Sequence, residues 1–294
     1  MLAHMTGLRG VYAAVVTPLL DGGARIDEPG IAAMAEFLAE GGVDGALVCG
    51  TAGEGVALSV PERQRALEAY VAAGGSRIAL MAHCGAQTTA DTVALAAHAA
   101  EAGAVGVSVI APPYFPLDDR ALLAHLAAAA QACAPLPFYV YCFTARSGYP
   151  IPLPVIEQLR ERASNLAGLK VSEQPWERFE PYLLDGLDIF CGPETLISQA
   201  LAGGAIGVIS ALASALPELV VTAVREGTPE ATERARAARM TLERFPMPAA
   251  LKVVCALRGV PIGVDVRAPL RILDAAERGE LERAVRSLLE AVPA

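Results

Sequence analysis

A closed eight-stranded α/β barrel with a helical tail is the fold class that the sequence predicts, and three observations carry the prediction. Strand-like and helix-like runs alternate through residues 1–226 with little between them. The strand runs are short and apolar on both faces, the pattern of parallel strands covered by helices. Their number is eight, the number that closes such a sheet on itself. Aromatic residues make up only 5% of the chain while alanine, valine, leucine and glycine are plentiful, which suits helix-on-sheet packing better than a sandwich filled with rings. Barrels of this kind reach the length of this chain, 294 residues, as one unit.

Taken in order, apolar runs over 10–18, 45–50, 77–85 and 106–111 are the first four strands. Amphipathic runs over 29–40, 61–73, 88–102 and 118–133 are the helices that follow them. The alternation continues with strands over 137–143, 166–172, 187–192 and 205–210, and helices over 152–162, 175–184, 194–202 and 217–226. A doubly wound sheet would need fewer strands and a nucleotide fingerprint. Three more helical stretches, 229–245, 248–257 and 269–289 with a break near Gly279, lie beyond the last unit. No flexible linker sets them apart. The expected architecture is a (β/α)8 TIM barrel with a C-terminal helical extension: a catalytic barrel over 1–226 and the extension over 227–294.

The net charge of -9 and the lack of any lysine or arginine run argue against a nucleic-acid surface. Positive contacts to an anionic substrate must therefore be local. Mean hydropathy is positive, yet the most apolar stretch, 201–216, is rich in glycine and alanine, carries two serines and stops at Pro217; it is too short to span a membrane. The first five residues lack a charged region followed by an apolar core, so no signal peptide is expected. Cys49, Cys84, Cys133, Cys142, Cys191 and Cys255 are dispersed without a CxxC pair, as expected of reduced thiols in a cytoplasmic protein.

Only two lysines occur, Lys170 and Lys252; every other basic side chain is arginine. Arginine stays protonated and is a poor nucleophile, whereas a lysine among apolar neighbours can shed its proton and attack a carbonyl to form an imine. Lys170 lies in such a run, Leu166-Ala167-Gly168-Leu169-Lys170-Val171-Ser172. The plainer reading is a strand-end lysine that reaches solvent or a carboxylate. In a closed barrel the active site gathers at the C-terminal strand ends, and polar residues stand there. They include Thr51 in the glycine loop 50–55, Tyr114 after the fourth strand, Tyr141 and Arg146 at the fifth, Lys170 at the sixth, Gly192 and Glu194 at the seventh, and Ile209-Ser210 at the eighth. Loop amides at 50–55 can hold a carboxylate, although such a turn is often only conformational. A phenol beside an amine and a threonine hydroxyl can relay protons as an imine forms and breaks. Tyr139 and Tyr141 should point to the same side of their strand.

In order and spacing, the motifs GTAGEG (50–55), YCFTARSG (141–148), GLKVS (168–172) and GGAIGVIS (203–210) resemble those of the dihydrodipicolinate synthase and N-acetylneuraminate lyase family of Schiff-base aldolases. The likeness spans nearly the whole chain. It implies Lys170 as the imine-forming nucleophile toward pyruvate, or the pyruvyl part of a 2-oxo acid, and Tyr141 as the proton-transfer acid and base. Thr51 would link that phenol to a second tyrosine, matched by Tyr114 and supplied across a subunit interface. A homodimer or homotetramer is the expected assembly.

Thr51, Ala52, Arg146, Gly192 and Ile209 are the candidate substrate-binding residues. Ala52 departs from the family, which usually has a second hydroxyl there, so backbone amides would carry more of the carboxylate. Arg146 matches the arginine with which dihydrodipicolinate synthases hold the aldehyde's carboxylate, a task suited to a bidentate guanidinium; as a bland alternative it is a solvated loop cation.

No cofactor is expected beyond the covalent imine on Lys170. No metal is expected either, because His4, His83, His98 and His125 are scattered; a cluster of His83 and Cys84 with Cys49 or Cys191 is the weaker alternative. The expected function is a pyruvate-dependent lyase most like 4-hydroxy-tetrahydrodipicolinate synthase, condensing pyruvate with an aldehyde. A 2-keto-3-deoxy sugar acid aldolase or dehydratase, an N-acetylneuraminate-lyase-like enzyme and a non-catalytic binding or regulatory member remain alternatives. No nucleic acid or membrane partner is expected.

Overall fold

The computed structural model describes residues 7–290; His4 and the outer ends of the two expected ranges, 1–226 and 227–294, lie outside the described residues. Eight parallel strands close a barrel: β1 (Gly10–Ala14), β4 (Gly45–Val48), β5 (Ala79–His83), β6 (Gly106–Ile110), β7 (Phe138–Cys142), β8 (Leu166–Val171), β9 (Asp188–Cys191) and β10 (Gly207–Ser210). Each pairs with the next in chain order, and β10 closes on β1 with Val11 opposite Val208. Almost every strand residue is buried, because helices cover the outside and side chains fill the inside. Within the barrel, Phe190 meets the rings of Tyr12 and Tyr139 edge-on at 5.3 and 5.7 Å, so the interior is a packed layer and not a pore.

The outer ring comprises α1 (Glu28–Glu40), α2 (Val60–Gly74), α3 (Thr89–Glu101), α4 (Asp119–Cys133), α6 (Leu153–Arg162), α8 (Ile197–Ala202) and α9 (Pro217–Glu226), with the short α5 (Thr144–Ser147) and α7 (Trp176–Phe179) set in loops. Several begin on caps the sequence supplies. Asp27, Thr88 and Asp118 accept from amides of the first turn, and Ser59 with Glu62 forms a reciprocal capping box. The extension is α10 (Pro229–Glu243), α11 (Met247–Leu257) and α12 (Ala275–Glu290).

Several expected boundaries move, each for a local reason. The first strand leaves the ladder after Ala14, because the Val16 amide donates to the Ser214 hydroxyl at 3.1 Å. A hairpin of two-residue strands, β2 (Leu19–Leu20) and β3 (Arg25–Ile26), follows it; such strands are too short to leave a periodic signal. The helix expected over 175–184 is α7 followed by a 3-10 turn (Glu180–Tyr182), since Pro181 has no amide to continue an α-helix. The one expected over 194–202 starts with a 3-10 turn (Glu194–Leu196) that turns the Glu194 side chain inward. The stretch 269–289 becomes helical only at Ala275, where Asp274 and Glu277 bond reciprocally across the first turn at 2.8 and 2.9 Å. It runs unbroken through Gly279, because Leu281 and Val285 bury its inner face.

Candidate active site

Lys170 stands on β8 directly opposite Tyr141 on β7 and Phe190 on β9. Alternation along β7 places Tyr139 against Phe190 in the aromatic layer and carries Tyr141 one layer nearer the C-terminal rim. The Lys170 side chain is 3% exposed, and its Nζ lies 4.1 Å from the centroid of the Tyr141 ring. Among the described residues no carboxylate pairs with that amine and no hydrogen bond fixes it. It is thus a buried amine held by ring contact.

Above the pair opens a cavity of about 810 Å³, lined by Lys170, Tyr141, Thr51, Ala52, Arg146, Gly192 and Ile209 along with further residues. These seven candidates come from five different units of the barrel, so closure of the sheet is what brings them together. In the loop 50–55, the amides of Glu54 and Gly55 donate to Thr51 and Gly50 carbonyls. The amides of Thr51, Ala52 and Gly53 have no partner among the described residues, which leaves them free to hold a carboxylate. Thr17 anchors the loop through its hydroxyl to the Gly53 carbonyl at 2.7 Å. Gly55 is obligatory there, because a Cβ would run into the Cys49 carbonyl.

Glu54 has φ +57°, a left-handed conformation that costs a non-glycine residue energy. Two hydrogen bonds to its side chain hold it so. Its carboxylate takes the fully buried Lys252 ammonium of α11 at 2.6 Å and the Arg267 amide at 2.6 Å, while Lys252 also donates to the Asp265 carbonyl. The second lysine of the chain is therefore structural. Burial pulls its pKa down, against the pull of Glu54.

Arg146 lies on α5, exposed, with its guanidinium 5.6 Å from the centroid of the Phe143 ring. It lines the cavity and makes no salt bridge among the described residues. The buried Glu173 sets the turn that carries it: Oε1 accepts from the Thr144 amide at 2.6 Å and from the Thr144 hydroxyl at 2.8 Å. Glu173 is a positioning residue that sequence reasoning missed; an acid immediately after the expected sixth strand, 166–172, was its only signal.

The extension supplies the other side of the cavity, which sequence reasoning did not foresee. Arg239, Met240 and Glu243 of α10 and Met247, Pro248 and Leu251 of α11 all line it. Arg239 pairs with buried Glu194 at 3.4 Å and with Glu243 at 2.8 Å; burial works against its charge, yet these acids hold its pKa above the ordinary arginine value. Glu194 also accepts from the Ser210 hydroxyl at 2.6 Å and the Leu212 amide at 3.2 Å.

Tyr114 is not brought to this site within the chain. It is 83% exposed with φ +83°, and its ring leans on Phe115 at 4.8 Å. Behind Tyr141, His83 meets its ring edge-on at 5.9 Å. Arg63, also buried, donates to the His83 and Gly85 carbonyls at 2.6 and 3.0 Å. A guanidinium among His83, Cys84 and Cys49 opposes any cation there, and no three His, Cys, Asp or Glu side chains converge as a metal site among the described residues. All six cysteines are free and buried. Burial raises every one of their pKa values, that of Cys49 to about 11 in spite of Arg63, so they remain thiols at neutral pH and are not nucleophiles. No described helix is long and apolar enough to cross a membrane.

Comparison with known proteins gives concordant results. A profile of the Dihydrodipicolinate synthetase family matches residues 7–288. An uncharacterised DapA-like lyase of Halobacterium salinarum is 37% identical over 287 residues, 94% of this chain and 92% of the relative. The 4-hydroxy-tetrahydrodipicolinate synthase of Syntrophus aciditrophicus is 31% identical over 291 residues, covering 95% and 98%. Among solved structures, Proteus mirabilis N-acetylneuraminate lyase superposes with a TM-score of 0.87 at 29% identity over 96% of this chain and 98% of that one.

Proposed function

The chain belongs to the Dihydrodipicolinate synthetase family, a family of lyases, and from that premise we propose that it is a Schiff-base-forming lyase that condenses pyruvate with an aldehyde. The observation that carries the proposal is a buried amine, unpaired among the described residues, beside a phenol at the floor of a cavity in the barrel mouth.

Chemistry follows from that placement. The Lys170 amine adds to the keto carbon of pyruvate, and the Tyr141 phenol gives its proton to the departing hydroxyl, so that water leaves, a protonated imine remains and Tyr141 is left as the phenolate. Thr51 and the free loop amides hold the pyruvate carboxylate. The imine withdraws electrons, so the methyl carbon gives up a proton to the Tyr141 oxygen and the enamine forms. Its carbon attacks the aldehyde, Tyr141 returns the proton to the new alkoxide, and water hydrolyses the protonated imine to release a 4-hydroxy-2-oxo acid and the free amine, the remaining proton going back to the Tyr141 phenolate. In the reverse direction the same steps cleave the carbon–carbon bond. The substrate's own imine is the electron sink, so the proposal assigns no cofactor. Arg146 is assigned to an acid group on the aldehyde, and Tyr114 to the proton relay of a neighbouring subunit in a homodimer or homotetramer. The proposed setting is the cytoplasm.

Borohydride reduction in the presence of pyruvate tests the proposal: mass spectrometry should find a pyruvate-sized adduct on Lys170. A protein left unlabelled at saturating pyruvate would reject it, and would leave the non-catalytic alternative. A second reading, a 2-keto-3-deoxy sugar acid aldolase, is favoured by Glu194 and Thr195 on the cavity wall, which suit hydroxyl groups. Rates with aspartate semialdehyde, glyceraldehyde and N-acetylmannosamine decide between the two.

A further inference from the structure

Six large apolar side chains are exposed among the described residues, and three of the six share one place. Val56 is 73%, Met240 51% and Leu270 44% exposed, and all three line the cavity above Lys170. Met247, Leu251 and Pro269 continue the same wall. These residues come from three separate segments: the loop after β4, helices α10 and α11, and the strand-less stretch that ends in Leu270. The Glu54 carboxylate fastens the segments to one another, since Lys252 is on α11 and the Arg267 amide precedes Pro269. The apolar wall is thus built before anything binds, as a substrate subsite requires.

Exposed apolar surface concentrated in one concave place marks a binding site. The wall is continuous with the cavity whose inner end holds the reacting amine, so a flat partner surface does not fit it as well as a small molecule does. Lys170 and Tyr141 lie buried at the inner end, and the charges beside the wall are paired with one another, Arg239 with Glu194 and Glu243. Resting on the reading above, we infer that the aldehyde carries, beside the acid group assigned to Arg146, an apolar body, an alkyl chain of about four carbons or more or an aromatic ring, which lies against Val56, Met240 and Leu270. The two methionines suit such a role, because an unbranched thioether adapts to differently shaped hydrocarbons.

The test uses the full-length wild-type protein with pyruvate and a homologous series from acetaldehyde to hexanal, with benzaldehyde as the ring and aspartate semialdehyde as the polar comparison. Each methylene that leaves water is worth about fourfold in kcat/KM. With partial burial, hexanal should exceed acetaldehyde by about tenfold or more. The double variant Met240→Ser, Leu270→Ser should lose most of that advantage. A series that is flat or falls with chain length in a protein that still forms the pyruvate adduct overturns this inference alone; absence of the adduct overturns the lyase reading with it. A flat series accompanied by dissociation of an oligomer in a Met240→Arg variant would assign the wall to a second copy of the chain and likewise overturn it.

Discussion

At the scale of single residues, the placement of charge decides what each side chain can do. Arg146 has no competing carboxylate among the described residues, so it is free to bind one. Arg146→Ala should lower kcat/KM by about 10- to 100-fold for an aldehyde that carries an acid group, the worth of a charge-assisted hydrogen bond, and change it little for a neutral aldehyde. Equal losses on both would refute the carboxylate assignment.

His83 makes a different prediction, one of stability. Burial first, then Arg63 and Lys170, hold its pKa well below the ordinary histidine value, and burial lowers that of His125 too. Above about pH 6.5 both rings are neutral folded or unfolded, and their contribution is complete. As the pH falls below that value the unfolded chain takes up protons the native state refuses. Stability then drops by up to about 1.4 kcal/mol per pH unit for each ring until its folded pKa is reached. Urea unfolding between about pH 7 and pH 5 should show this slope, and His83→Gln should reduce it. An unchanged slope in the variant would remove His83 from the account. Lys170 was the residue most legible in the sequence, because one lysine in an apolar run stands out in a chain that otherwise uses arginine. Glu173 and Arg239 were not, since an acid after a strand and an arginine in a helix look like any solvated charge.

At the scale of elements, the loop 50–55 and helix α11 behave as one piece. Lys252→Met would leave Glu54 buried without its cation, a loss of about 3–5 kcal/mol, while the double variant with Glu54→Gln should recover part of it. Chemical denaturation of the two proteins measures the difference; a single variant as stable as the wild type would contradict the pairing. The barrel's strands and main helices were readable from their apolar runs, because burial on both faces leaves an uninterrupted signal. The hairpin β2–β3, the turn α5 and the 3-10 segments were not. They are too short for periodicity, and what fixes them is a single contact to a distant residue, such as Thr144 to Glu173. The reciprocal Asp274–Glu277 cap was present in the sequence as an aspartate three residues before a glutamate, and it locates the start of α12 better than Pro269 does.

At the scale of the whole molecule, the eightfold alternation was enough to expect closure, and closure alone carries Thr51, Tyr141 and Lys170 to one mouth from positions spread over the first 170 residues. What the alternation did not convey is that the extension walls that mouth, because which helix face lies on which loop is a property of packing and not of pattern. Tyr114 and Phe115 form an exposed aromatic pair on the opposite account: they are well placed for the core of a subunit contact, where aromatic side chains concentrate. Sedimentation at micromolar concentration should find a dimer or tetramer, and Tyr114→Ala should slow turnover. A fully active monomer would remove Tyr114 from the relay.

The ion pair between Glu54 and Lys252 spans 198 positions of sequence, and it constrains how relatives of this protein can be recombined. A chimera with its crossover between the barrel and the helical tail would separate donor from acceptor whenever the two parents solve this contact differently. Parents that share the glutamate and the lysine should exchange their tails freely and trade acceptor preference with them, since the tail brings Met240, Met247 and Leu270 along.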